Sequence, residues 1–250
     1  MTMGKAALDL VVCVSDQSVF EQCLLSSPGL RLPGGNLAAP ILRYDGCRSA
    51  ADGFNAAISA SQADWLLFVH QDVWFPDGWH TQFMQGIAEA EQQFDRLAVV
   101  GVFGMSMPNG QAAEEAGIVW DRGLWLRGRV ALPARASALD ELCFAVRRDS
   151  GLKLDATLGF HLYATDLVLQ ANERGLDSCV VAAPCRHHSR TPRSGFSADM
   201  IRTFSQSAVR FEEKWRHRLP VRTPCIDFSP DVPVLANISR LAELDAGGGR

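Results

Sequence analysis

A histidine and an aspartate stand two positions apart at the point where an apolar run of this sequence ends. His70 and Asp72 follow the run WLLFV and precede VWF. Side chains two apart on an extended chain point to the same side, so an imidazole nitrogen and a carboxylate oxygen converge. Such a pair suits a borderline divalent cation such as Mn²⁺. The alternative is that Asp72 caps the following turn and His70 is a hydrogen-bonded core histidine.

A second polar break, with two adjacent histidines, follows the apolar stretch SCVVAAPC. His187 and His188 stand there. Neighbouring side chains on an extended backbone point to opposite sides, so one of the two can face a shared cleft. The alternative is an exposed pair, and the sequence leaves open which histidine would serve a cation.

Other polar residues could hold a ligand or move a proton. Ser15, Asp16 and Asp45 end the first two apolar runs, where they could bond to a base or a ribose, although Asp is also a common turn former. Asp166 lies in a helical stretch at 160–175. It either faces the cleft as a general base or lies on the solvated face of that helix.

Strand-like and helix-like segments alternate along the chain and predict how these residues are positioned. The predicted strands are 8–15, 39–45, 64–69, 96–104, 139–148 and 178–184. Helical patterns follow Ser18, Ser49 and Pro76, recur at 160–175, and end with a long helix through Trp215. This alternation indicates right-handed crossovers and a mostly parallel sheet with helices on both faces. In such sheets ligands bind at the carboxyl ends of the strands, where His70 and Asp72 are expected.

Three further segments break the alternation. Residues 105–138 read as an inserted hairpin or a mobile flap, and this segment and the loop at 189–197 are expected to shape a binding pocket. We predict a single domain over 1–222 and a loosely packed, Pro-rich tail over 223–250.

Composition excludes several classes of function. The 250 residues carry a formal charge of −4 without a basic block, which gives no reason to expect nucleic acid as a partner. No stretch reaches the roughly 20 apolar residues of a transmembrane helix, and the first residues lack a signal-peptide cleavage site. Seven scattered cysteines favour reduced thiols and a cytoplasmic protein. The P-loop, GxGxxG and GxSxG motifs are absent from the sequence.

Taken in order, these segments resemble a glycosyltransferase of the GT-A type. The closest resemblance is to the family-two-like group in which the metal-binding DxD motif appears as HQD. The matching segments are GFNAAISASQADWLLFVHQD, FVHQDVWFPDGW, LDELCFAVRR, GFHLYATDLVLQANERG, HHS and FEEKW, which together span roughly residues 8 to 218.

The resemblance implies an α/β GT-A (nucleotide-diphospho-sugar transferase) fold and a nucleotide-diphosphate sugar as donor. It implies a Mn²⁺ or Mg²⁺ ion on the diphosphate, and an acceptor that is a saccharide, a lipid-linked molecule or a protein. Its implied residue roles are metal binding by His70, Asp72 and either His188, our first choice, or His187; nucleotide binding by Ser15, Asp16, Asp45 and Gln71; and base catalysis by Asp166.

One position departs from the family pattern. Ala164 stands where the first acidic residue of the helix is expected, and Asp166 is retained. A catalytically impaired nucleotide-binding relative is therefore one alternative. A metal-dependent hydrolase, with the His and Asp residues activating water, is another.

Overall fold

The structure, a computed structural model, describes residues 7–110, 112–189 and 197–238. Within these ranges the predicted alternation is confirmed. The strands are β1 (Leu8–Val14), β2 (Ile41–Asp45), β3 (Trp65–Val69), β4 (Val73–Trp74), β5 (Leu97–Gly101), β6 (Phe103–Ser106), β7 (Glu114–Asp121), β8 (Leu124–Arg127), β9 (Ala134–Leu139), β10 (Cys143–Arg147), β11 (Asp177–Val180), β12 (Cys185–His187), β13 (Val221–Arg222) and β14 (Asp227–Phe228). The helices are α1 (Gln17–Phe20), α2 (Ala50–Ala60), α3 (Trp79–Glu91), α4 (Tyr163–Glu173) and α5 (Ala198–Trp215).

One twelve-stranded sheet organises the described residues, in the order β2-β1-β3-β10-β5-β11-β9-β6-β7-β12-β4 with β8 paired to β7. The first part is parallel, since β1 pairs in parallel with both β2 and β3, and β5 with β11. Strand β10 runs antiparallel between β3 and β5. The α/β architecture is thus as predicted, but the sheet is mixed, because seven of the eleven strand pairings among the described residues of this sheet are antiparallel.

The segment 105–138 forms the antiparallel part of the same sheet. Strands β9, β6, β7 and β8 pair antiparallel in that order. Two residues, Arg122 and Gly123, connect β7 to β8, and both have positive φ, 48° and 82°. That is the conformation of a two-residue type I′ hairpin turn, whose twist matches that of the strands. The predicted hairpin is confirmed, and both of its strands belong to the sheet.

Helices cover both faces of the sheet because the central strands are apolar on both sides. In β3, Trp65 and Leu67 pack into one cluster with α3, while Leu66 and Phe68 pack into another with α2 and α4. Fully burying a large apolar side chain contributes about 1.5–3 kcal/mol. The uninterrupted apolar run in the sequence reflects this double burial.

A third apolar cluster joins α5 and the C-terminal segment to α4. Phe211 and Trp215 of α5 are buried there with Phe228, Val234 and Ile238. The described part of the predicted tail therefore extends the core, because its apolar residues cover α5. Residues 239–250 lie outside the described ranges. None of the helices in the described part of the chain combines the length and apolar composition needed to cross a bilayer.

Candidate functional site

Parallel pairing brings the ends of β1, β2 and β3 to one edge of the sheet, beside a cleft of about 750 Å³. This volume lies within the range of small-molecule sites. The polar and aromatic residues that line the cleft include Ser15, Gln17, Asp45, Cys47, His70, Gln71, Asp72, Phe160 and Tyr163. The sequence analysis placed six nucleotide and metal candidates at the ends of these strands, and five of them line the cleft: Ser15, Asp45, His70, Gln71 and Asp72.

A cluster of two histidines and one aspartate lies at this edge. One potential ligand atom from each of His70, Asp72 and His187 lies within 4.8 Å of the others. His187 reaches the cluster because β12 pairs with β4 on one side and β7 on the other, opposite Val73 and Asp121. Two imidazole nitrogens and a carboxylate oxygen form a donor set that fits Mn²⁺.

His188, the first-choice ligand of the sequence analysis, lies elsewhere. Its backbone N–H donates to the Asp72 carbonyl at 2.8 Å, and its ring contacts Trp120 with a centroid separation of 5.4 Å. Adjacent side chains of β12 point to opposite sides, so His187 rather than His188 faces the cluster. Of the two histidines, His187 is therefore the one whose ring lies in the cluster.

Two carboxylates lie beside the ring of His187 and stabilise its protonated form. Its Nε2 lies 3.3 Å from Asp72 Oδ1, and its Nδ1 lies 3.1 Å from Asp121 Oδ1. Burial alone would lower the pKa of His187, but Asp121 and Asp72 raise that pKa to about 10. Without a metal, the site therefore already holds a positive charge between two carboxylates.

The other two members of the cluster respond to the same charges. Burial would raise the pKa of Asp72, but His187 and His70 hold this pKa well below its usual range. Burial and the neighbouring His187 lower the pKa of His70 to about 4. His70 is thus neutral and Asp72 ionised at neutral pH, as metal binding requires, whereas His187 would have to release a proton to bind a cation.

Tyr163 fixes the ring of His70. The buried Tyr163 hydroxyl lies 2.9 Å from His70 Nε2. This contact leaves Nδ1 of His70 for a cation. The backbone N–H of His70 also donates to the Leu142 carbonyl at 3.0 Å, which ties the end of β3 to the start of β10.

Gln71 joins the ends of β1 and β3. Its Oε1 accepts from the backbone N–H groups of Ser15 and Asp16, both at 3.0 Å, and its Nε2 donates to Ser15 Oγ at 2.8 Å. Gln71 and Ser15 therefore shape the floor of the cleft together.

The two aspartates proposed to hold the nucleotide differ in position. Asp16 caps α1, because its Oδ1 accepts from Val19 N–H at 3.1 Å, so this helix begins before Ser18. Asp45 lines the cleft, and its exposed carboxylate pairs with Arg43 at 2.6 Å.

Asp166 faces α5 and does not line the cleft. It is fully buried: Oδ1 lies 2.7 Å from Lys214 Nζ and accepts from Trp215 Nε1 at 2.8 Å. Its Oδ2 accepts from Gln170 Nε2 at 2.7 Å. This arrangement gives Asp166 a clear role in packing α5 onto α4, and no contact in it supports the predicted role as a base.

Asp140 and Glu141, which the sequence analysis did not single out, lie near the cluster in the turn between β9 and β10. A Glu141 side-chain oxygen accepts from Leu162 N–H at the start of α4. Burial and the neighbouring Asp140 raise the pKa of Glu141 to about 8. The available signal was a pair of carboxylates directly before the buried run LCFAV.

A second groove, of about 680 Å³, lies between the β7–β8 hairpin and the β13–β14 hairpin. Arg127, Arg222 and Cys225 are among its lining residues, and Cys225 is exposed there.

Comparison with known sequences identifies the family. The sequence profile described as "Glycosyltransferase like family" matches residues 9–191. The chain belongs to the glycosyltransferase-like family. No curated protein sequence matches this glycosyltransferase-like chain significantly.

Solved structures confirm the GT-A fold of this glycosyltransferase-like chain. It is similar to the mannosyltransferase PcManGT from Pyrobaculum calidifontis in complex with GDP-Man and Mn²⁺, with a TM-score of 0.56 and 12% identity over 98% of this chain and 74% of that one. It is also similar to GalNAc-T7 with UDP, GalNAc and Mn²⁺, with a TM-score of 0.52 and 13% identity over 83% of this chain and 48% of that one. At these identities the similarity concerns the fold.

Proposed function

We propose that this protein transfers a glycosyl group from a nucleoside-diphosphate sugar to an acceptor hydroxyl, assisted by a divalent cation. The observation that carries the proposal is the His70, Asp72 and His187 cluster at the edge of a nucleotide-sized cleft. The two similar structures were solved with nucleotides and Mn²⁺, which supports the same ligands here.

In this proposal the nucleoside lies in the cleft between β1 and β2, and the diphosphate points toward the cluster. Ser15 and Gln71 offer a hydroxyl and an amide at the floor, and Asp45 offers a carboxylate at the rim. Phe160, which is 43% exposed in the cleft, provides an apolar surface for a ring. A cation on the diphosphate would neutralise the charge that develops on the departing nucleotide.

Glu141 is the residue we assign as the base that accepts the acceptor hydroxyl proton. It is half-buried beside the cluster, and a pKa of about 8 suits a base that works near neutral pH. The groove lined by Cys225 offers space for an acceptor. Asp166, buried under α5, is not needed in this assignment.

Glu141→Gln is expected to lower sugar transfer by about 100-fold or more, because the amide cannot take up the proton. It keeps an oxygen that can accept from Leu162 N–H, so the fold and nucleotide binding should be unchanged. The measurement is product formation by mass spectrometry with a donor sugar and a panel of acceptors. Full turnover by Glu141→Gln would refute this assignment.

A thermal-shift panel tests the proposed function. UDP, GDP and their sugars are each measured with Mn²⁺, with Mg²⁺ and with EDTA. A matching nucleotide at about 100 times its Kd should raise the melting temperature by about 5–10 °C. We expect this shift with the metal and a much smaller one in EDTA.

Three outcomes separate the alternatives. No shift across the panel would contradict nucleotide binding, and therefore the proposal. A shift without donor consumption in the presence of acceptors would indicate an impaired nucleotide-binding relative. Hydrolysis of phosphate or carboxylic esters by metal-loaded protein that shows no nucleotide shift would indicate a hydrolase.

A further inference from the structure

Asp121 lies beside the metal cluster on an element that the sequence analysis treated as an insertion. It is the last residue of β7 and pairs across the hairpin with Leu124. On its other side it is the parallel partner of His187 in β12. The turn at 122–123 and these two pairings fix the backbone of Asp121.

The two nitrogens of His187 face different acidic residues. Nδ1 lies 3.1 Å from Asp121 Oδ1, and Nε2 lies 3.3 Å from Asp72 Oδ1. The nitrogens lie on different edges of the ring, so an acceptor at Nδ1 does not compete with a cation at Nε2. When one ring nitrogen binds a metal, a carboxylate on the other fixes the ring orientation and raises its basicity.

One oxygen of the Asp121 carboxylate lies close to His187 Nδ1. Oδ1 is buried and makes no contact of hydrogen-bond geometry with any described residue, and His187 Nδ1 lies 3.1 Å from it as an ion-pair contact. A buried carboxylate without a compensating charge is costly, so the nearby imidazole of His187 is the group that stabilises it. Trp120, which precedes Asp121, contacts the ring of His188, which follows His187. This ring contact also holds β12 against β7.

We propose that Asp121 is a positioning residue that holds His187 with Nε2 directed at the cation site. The proposal rests on the proposed metal-dependent function. It adds Asp121 to the three residues of the cluster, as a residue that would hold His187 without binding the cation itself. It also assigns a role to the β7–β8 hairpin, which brings this carboxylate to the cluster. Losing such a partner typically lowers metal affinity about 10–100-fold.

The test is a titration of the full-length protein with Mn²⁺, followed by the EPR signal of free Mn²⁺. Asp121→Ala should weaken Mn²⁺ binding about 10–100-fold. Asp121→Asn keeps an oxygen that can accept from Nδ1–H, and should weaken binding less. Glu114→Ala and Glu114→Gln are matched controls, since they remove an exposed carboxylate from the far end of β7 and should not change Mn²⁺ affinity.

Melting curves in EDTA verify that each variant is folded, and Asp121→Asn keeps the test decisive where Asp121→Ala does not fold. Wild-type affinity in both Asp121 variants would overturn the inference and leave the proposed function standing. An equal loss in the Glu114 controls would also overturn it, because the effect would then come from charge alone. Absence of Mn²⁺ binding by the wild type would overturn the metal centre, and this inference with it.

Discussion

Replacing Asp166 by alanine is expected to lower the free energy of unfolding by about 3–5 kcal/mol, the usual cost of removing one partner of a buried ion pair. The change leaves Trp215 Nε1 without its acceptor and leaves Lys214 Nζ with Asp155 as its remaining carboxylate partner. For a chain of this size the melting temperature should fall by roughly 10 °C or more. Differential scanning calorimetry measures this fall.

Two further variants distinguish a packing role of Asp166 from a catalytic one. Asp155→Ala removes the more exposed carboxylate that Lys214 also contacts, and should cost on the order of 1 kcal/mol. Asp166→Asn keeps an acceptor for Trp215, so the folded fraction at 25 °C should retain sugar transfer. A stable Asp166→Asn protein without turnover would contradict the packing role and restore Asp166 as the base.

Replacing Asp72 by alanine is expected to weaken Mn²⁺ binding more than 100-fold, since loss of a direct ligand exceeds the effect of an outer partner. The nucleotide-dependent shift in melting temperature with Mn²⁺ should fall to the value measured in EDTA. The imidazolium of His187 also loses one of its two carboxylates. Isothermal titration with a nucleoside diphosphate, with and without Mn²⁺, measures the change.

Asp77→Asn is the matched control, because it removes an exposed carboxylate five residues along the same segment. It should bind Mn²⁺ and nucleotide like the wild type. Metal-dependent binding that survives Asp72→Ala would show that the cluster is not the cation site.

Local sequence patterns predicted much of the candidate site. Apolar run lengths located β1, β2 and β3, and the two-residue period of a strand put His70 and Asp72 on one side. The choice between His187 and His188 needed the pairing of β12 with β4 and β7, which depends on contacts far apart in sequence.

Long-range contacts also decided the residues that were misjudged or missed. Asp166 lies in the first turn of α4, where the sequence pattern allowed it to face the cleft. It is buried because α5 packs over it. Asp121 becomes relevant through the hairpin and its partner His187. The C-terminal segment was predicted to be loosely packed because it is Pro-rich and ends in AGGGR, but Phe228 and Val234 belong to the apolar cluster of α5. A single sequence does not encode these juxtapositions locally.

Pulsed EPR of the wild-type protein with Mn²⁺ and a nucleoside diphosphate tests the central claim most directly, because it detects the nuclei bound next to the ion. We expect couplings to phosphorus from the diphosphate and to imidazole nitrogens from His70 and His187. The His187 coupling should be lost in His187→Ala. Phosphorus coupling without any imidazole nitrogen, or no bound Mn²⁺ at all, would contradict it.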